Sequence, residues 1–138
     1  MHNNKLWHNI QTSWVDSGMS NVATMYIEYE TKLGNSEMIK KEIIECFENV
    51  KEDNRYYEQF FYAISWADES IVKDIIAEIV SYGLNTDNIL ALDGAIGLVG
   101  EFLTPELYKL LEDRGEIKTP WLEEYRKQVL KDYEEEIK

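Results

Sequence analysis

EMIKKEI fills residues 37–43, ESIVKDI fills 69–75 and PELYKLL fills 105–111. A shift of 32 residues lays Glu37 on Glu69, Ile39 on Ile71, Lys41 on Lys73, Ile43 on Ile75 and Phe47 on Ile79. The same shift carries the following stretch across: Tyr57 onto Ile89, Phe60 onto Leu92, Ala63 onto Ala95 and Ile64 onto Ile96. A further shift of 36 lays Ile71 on Leu107, Lys73 on Lys109 and Ile75 on Leu111. Matched apolar stripes would align any one amphipathic helix with another. One shift that aligns two successive helices, with lysine and acid in place, marks a repeated helix pair. Each pair must bury its stripe against its neighbours. The expected fold is therefore all-α: about eight helices, with antiparallel pairs stacked as a short α-solenoid. Residues 1–138 read as a single domain, with capping helices over 1–35 and repeats over 36–138.

The rest of the chain agrees with helix. Apolar residues recur at spacings of three and four, and both prolines stand where helices begin. A first helix is expected over Lys5–Trp14, with Trp7 and Trp14 on one face sealing the cap. Ser20 is expected to cap a second helix that runs to Gly34, and Ser36 to open a third that ends near Val50. Asp53 is expected to cap a fourth, Asp68 a fifth that runs unbroken to Tyr82 and Gly83, and Thr86 a sixth. Thr104-Pro105 and Thr119-Pro120 start the last two, each with a hydroxyl before a proline whose missing N–H costs nothing at a helix start. Gly115 ends the seventh. Lys131–Lys138 reads as a solvated helix end.

In outline, residues 36–137 resemble HEAT-like repeat proteins, although the period is shorter than the usual ~40 residues. The resemblance implies that the second helix of each pair lines a concave binding face, here 54–66, 86–101 and 119–137. Away from their apolar stripes these helices offer Glu58, Tyr62 and Trp66, then Asp93 and Glu101, then Glu123 and Glu124. Those seven are the expected partner-binding residues. Carboxylates accept from Arg and Lys, while Tyr and Trp supply anchor area. Nucleic acid would need Lys and Arg in the same places.

Charge points the same way. Twenty-seven acidic against 14 basic residues give −13, with −4 over residues 1–67 and −9 over 68–138. Such a field repels nucleic acid and anionic membranes and attracts basic partners. The apolar and aromatic content, 44% and 12%, is too high for a disordered chain. No apolar run approaches the ~18 residues of a membrane helix, and no secretory leader is recognisable at the N-terminus. A single cysteine, Cys46, suits a reducing compartment, so a cytoplasmic location is expected.

Nothing in the sequence groups residues for catalysis, and neither a cofactor nor a metal is expected. His2 and His8 form no ligand motif, and Cys46 lies on an apolar helix face as a buried thiol. GAIGLVG, residues 94–100, has glycines at helical spacing, with no strand before and no lysine after. Close helix packing explains it better than a phosphate loop. Asp93 takes the place of Phe61 under the 32-residue shift, beside a core stripe, so its carboxylate must be hydrogen-bonded, paired or turned to a groove.

In size, acidity and missing catalytic groups the chain looks like the small helical immunity proteins with which bacteria neutralise basic toxins, often nucleases. That similarity implies an inhibitor that covers the active site of a basic toxin domain, with no direct nucleic-acid or membrane contact. Two alternatives remain: an acidic antagonist that mimics DNA, and a HEAT-like adaptor with an apolar groove. A DNA mimic would carry rows of acids over much of its surface. An adaptor would bind in a way that tolerates salt.

Overall fold

The structure, a computed structural model, describes residues 3–16 and 18–137, so His2 and Lys138 lie outside the described residues. Among these are nine α-helices and one 3₁₀ turn, without a strand, and helix pairs pack against each other as an all-α fold should. The chain forms two compact units, Met1–Ile75 and Ile76–Lys138.

The first unit holds α1 (Lys5–Thr12), α2 (Val22–Lys32), α3 (Ser36–Glu52), a 3₁₀ turn (Asn54–Tyr56), α4 (Tyr57–Ser65) and α5 (Glu69–Val72). Helix α1 packs on α2, α3 and α4, and α2 packs on α3 and α4. Leu6, Ile10, Ile27, Ile39, Ile43, Phe60 and Ile64 are fully buried among them. Phe47 stacks on Phe60 at 6.0 Å, and Phe60 meets Phe61 edge-on at 5.5 Å. Asn21, not Ser20, caps α2. Its side chain accepts from the Ala23 and Thr24 N–H groups, and the Thr24 hydroxyl accepts from the Asn21 N–H at 2.8 Å. That reciprocal box satisfies two otherwise unpaired donors, which a serine one place earlier does not. Helix α1 ends at Thr12, so Trp14 stands outside it, 84% exposed, and only Trp7 seals inward, edge-on to Tyr56 at 5.5 Å.

The stretch expected as one helix from Asp68 to Gly83 is broken. Helix α5 ends at Val72, and a turn at Lys73–Ile75 separates it from α6. Asp74 in that turn pairs with Lys40 of α3 at 2.8 Å. The break coincides with the end of the first unit.

The second unit holds α6 (Ile76–Leu84), α7 (Ile89–Phe102), α8 (Pro105–Arg114) and α9 (Pro120–Glu136). Helix α7 packs on α6, α8 and α9. Asn88 rather than Thr86 caps α7, accepting from the Leu90 and Ala91 N–H groups. The start at Thr104-Pro105 and the stop at Gly115 (φ 77°) stand as read, with the Thr104 hydroxyl accepting from the Leu107 N–H at 3.3 Å. A Cβ at Gly97 would lie 3.3 Å from the Tyr125 hydroxyl, and one at Gly100 would lie 3.4 Å from Val129. Gly97 therefore does serve close packing of α7 on α9, whereas a Cβ at Gly100 would make an ordinary contact.

The 32-residue correspondence survives best on the second helix of the pair. Phe60 and Leu92, Ala63 and Ala95, and Ile64 and Ile96 are all buried. It fails at the helix start, where Tyr57 is buried but Ile89 is 46% exposed. On the first helix, α3 is continuous while its counterpart is split into α5 and α6.

Candidate interaction surfaces

In the first unit, Glu58, Tyr62 and Trp66 follow one another at four-residue steps along α4 and its C-cap. Glu58 is exposed, Tyr62 half-buried and Trp66 39% exposed. Tyr62 already has a structural task. Its hydroxyl donates to the carbonyls of Asp16 (3.1 Å) and Met19 (2.6 Å), fastening the α1–α2 connection to α4. The Trp66 ring lies 6.2 Å from the Tyr62 ring. Glu58 and Trp66 are thus presented to solvent, and Tyr62 backs them.

In the second unit, Asp93, Gly97 and Glu101 occupy successive turns of α7, and Tyr125 of α9 lies against Gly97. Burial pushes the Asp93 carboxyl above the usual carboxylate range. The Tyr125 phenol is also raised, first by burial and then by the negative charges of Asp93 and Glu101. A neutral phenol therefore sits between two carboxylates. Its hydroxyl oxygen can accept from a cation that approaches the row. Glu101 and Glu124 are exposed.

Glu123 is a correction: it is 9% exposed and engaged inside the unit, so it is not available to a partner. Its carboxylate accepts from the Ile117 N–H at 2.9 Å and pairs with Arg126 at 3.1 Å. Arg126 in turn donates to the carbonyls of Leu111 and Glu112, both at 3.1 Å. The pair stitches the α8–α9 connection to the end of α8. The signal was present: Leu122, Val129 and Tyr133 form a core stripe on α9, and Arg126 falls within it. A cation there requires a partner, and Glu123 stands three residues before it.

Sequence reasoning missed the outer face of α2. Val22, Met25, Tyr29 and Leu33 are 50%, 57%, 62% and 57% exposed, while Ala23 and Ile27 of the same helix are buried. Apolar residues on two faces of a short helix were the available sign.

The lone cysteine is buried as expected, and its thiol is pushed up by burial and by the charges of Glu42 and Glu45. Among the described residues no group of His, Cys, Asp and Glu is arranged to hold a metal ion, and no helix is long and apolar enough to cross a membrane. No protein-family model, curated protein or solved structure matches the chain.

Proposed function

We propose that the chain is an acidic protein-binding inhibitor, an immunity-type protein that neutralises a basic toxin domain by covering its active site. The carrying observation is the charge layout of the second unit. All its acids except Asp93 and Glu123 are exposed, whereas both its arginines turn inward. Arg126 is held by Glu123 and two carbonyls, and Arg114 donates to the Leu84 carbonyl at 2.6 Å. The outward cations among the described residues of this unit are Lys109, Lys118, Lys127 and Lys131, against twelve exposed carboxylates. Such a surface steers a cationic protein, raising the on-rate by ~10–10³ at low salt. Glu101, Glu124 and the Asp93–Tyr125 row are the contacts favoured in this unit, and Glu58 with Trp66 those in the other. A cytoplasmic location follows from this reading, since an immunity protein guards the cell that makes it.

The test is capture of partners by the purified full chain from its own source, at about 50 and 500 mM salt, where the screening length falls from roughly 14 Å to roughly 4 Å. The expected result is a basic protein bound in equal stoichiometry at low salt and released at high salt, with its own activity lost in the complex. Glu58→Lys, Glu101→Lys and Glu124→Lys together should abolish that complex while the circular dichroism spectrum stays unchanged. A partner held equally at both salts, or one whose activity survives in the complex, overturns the inhibitor reading.

A further inference from the structure

We propose that the outward face of α2 is a self-association surface, on which two copies of this chain pack α2 against α2, antiparallel, across a two-fold axis level with residue 30, just past Tyr29. The inference is independent of the inhibitor reading and uses none of its residues.

The face is a ridge rather than a scatter of exposed side chains. Met25, Tyr29 and Leu33 stand four residues apart, each more than half exposed, and Val22 extends the row by one turn. A contiguous apolar row of this kind on a water-facing helix marks a contact surface. Residues at i, i+4 and i+8 form the ridge that interdigitates with a like ridge in the commonest helix-packing class. The same ridge on two copies is self-complementary under a two-fold axis.

Charge selects the occupant. Glu28 and Lys32 lie on one flank of the ridge, 2.9 Å apart and with side chains 54% and 74% exposed. In an antiparallel pair that flank meets the same flank of the second copy in reversed order. Glu28 of one copy then faces Lys32 of the other, and the reverse, so two intermolecular ion pairs form by symmetry. In a parallel two-fold pair this flank would meet the opposite flank of the second copy, and the Glu28–Lys32 pairing would not form. The ridge also lies in a stretch of low net charge, where two anionic chains repel little. The chain carries −13, yet residues 19–33 hold Glu28 and Glu30 against Lys32, a net −1. A strongly cationic partner, by contrast, would meet Lys32 at the edge of the ridge and find little excess negative charge there.

The experiment is sedimentation of the full chain over a concentration series from about 1 to 300 μM, in buffer of roughly physiological ionic strength. The wild type should move from 16.3 kDa toward twice that mass as concentration rises. Glu28→Lys alone and Lys32→Glu alone should each weaken association about 10-fold or more, because each sets like charges opposite one another. An equimolar mixture of the two variants should recover the dimer as a heterodimer. Tyr29→Arg should abolish association in every combination. All three positions are exposed, so circular dichroism should stay at wild type. A wild type that remains at 16.3 kDa throughout overturns the proposal. So does association that survives both single charge variants, or a mixture that fails to recover. Glu58, Glu101 and Glu124 are intact in all these variants, so capture of a basic partner is scored separately from self-association.

Discussion

Each unit buries one glutamate, and the two are held in different ways. In the first, Glu42 of α3 is 1% exposed. It accepts from the Leu6 N–H at 2.9 Å and from the Tyr26 hydroxyl at 3.1 Å. Its own carbonyl accepts from the Asn4 side chain at 3.0 Å, and Asn4 also caps α1 through the Trp7 N–H. A carboxylate at the first turn of α1 meets the positive end of the helix dipole. In the second unit, Glu123 holds a loop only six residues back in the chain and is joined to Arg126 three residues on. The first arrangement makes tertiary structure: it docks the N-terminal helix on a helix some 36 residues away. The second makes a local closure. The distinction predicts which variants loosen one element and which undermine a whole unit.

The largest effect is expected at Arg126. Arg126→Ala leaves the Glu123 carboxylate buried without its arginine and strips the Leu111 and Glu112 carbonyls of a donor. Breaking a buried pair from one side costs about 3–5 kcal/mol. Urea unfolding should show that loss. A cost below about 1 kcal/mol would mean that water reaches the site, and the comparison with Glu42 would collapse.

Next comes Glu42→Ala, which removes the acceptor for Leu6 and Tyr26 at a cost of about 2–3 kcal/mol. Its mark should be regional. Amide exchange in α1 should accelerate while α7 and α9 keep wild-type protection. Equal loosening of all helices would show that Glu42 supports general packing rather than the docking of α1.

How much of this was legible follows from where each signal sits. Thr104-Pro105 and Gly115 mark boundaries through residue types that act locally, and those boundaries stand. The starts at Ser36 and Pro120 also stand, but the Thr119 hydroxyl makes no capping bond and no side chain caps α3. The Phe60, Ala63 and Ile64 stripe was visible from spacing alone. The break at Lys73–Ile75 was not, because it contains no proline or glycine and its apolar spacing continues across it. Thr86, Asp87 and Asn88 are all good caps, and only the packed helix selects Asn88. Glu123 was misread because it was paired with its neighbour Glu124 rather than with Arg126, the cation in the core stripe. The α2 ridge was not legible because Met25, Tyr29 and Leu33 recur at the same spacing that a buried stripe shows.

Smaller effects sharpen the same comparison. The second unit closes by near contact of α7 on α9, so its glycines are informative. Gly100→Ala meets Val129 at an ordinary distance and gains helix propensity, and should stabilise by about 0.5–1 kcal/mol. Gly97→Ala places its Cβ against the Tyr125 hydroxyl at 3.3 Å, so that gain should be largely cancelled as the ring shifts. Thermal melts of the two variants should rank them in that order. The reverse order would mean that Tyr125 yields more readily than Val129.

The smallest effect concerns Asp93, the carboxylate between those extremes: half-buried and raised by burial. Because its folded value lies above the unfolded one of about 3.9, folding takes up protons between the two. Its stabilising contribution is complete below the unfolded value and is lost as pH rises through the folded one. At pH 7 the ionised group therefore opposes folding. Asp93→Asn, which cannot ionise, should melt about 2 °C above wild type at pH 7. That advantage should vanish below about pH 4, where both side chains are neutral. A variant that melts lower than wild type at pH 7 would mean that the Asp93 charge is held by a donor worth more than its burial costs. Asp93 would then belong with Glu42 and Glu123 as a third structural carboxylate, and the acidic row on α7 would begin at Glu101.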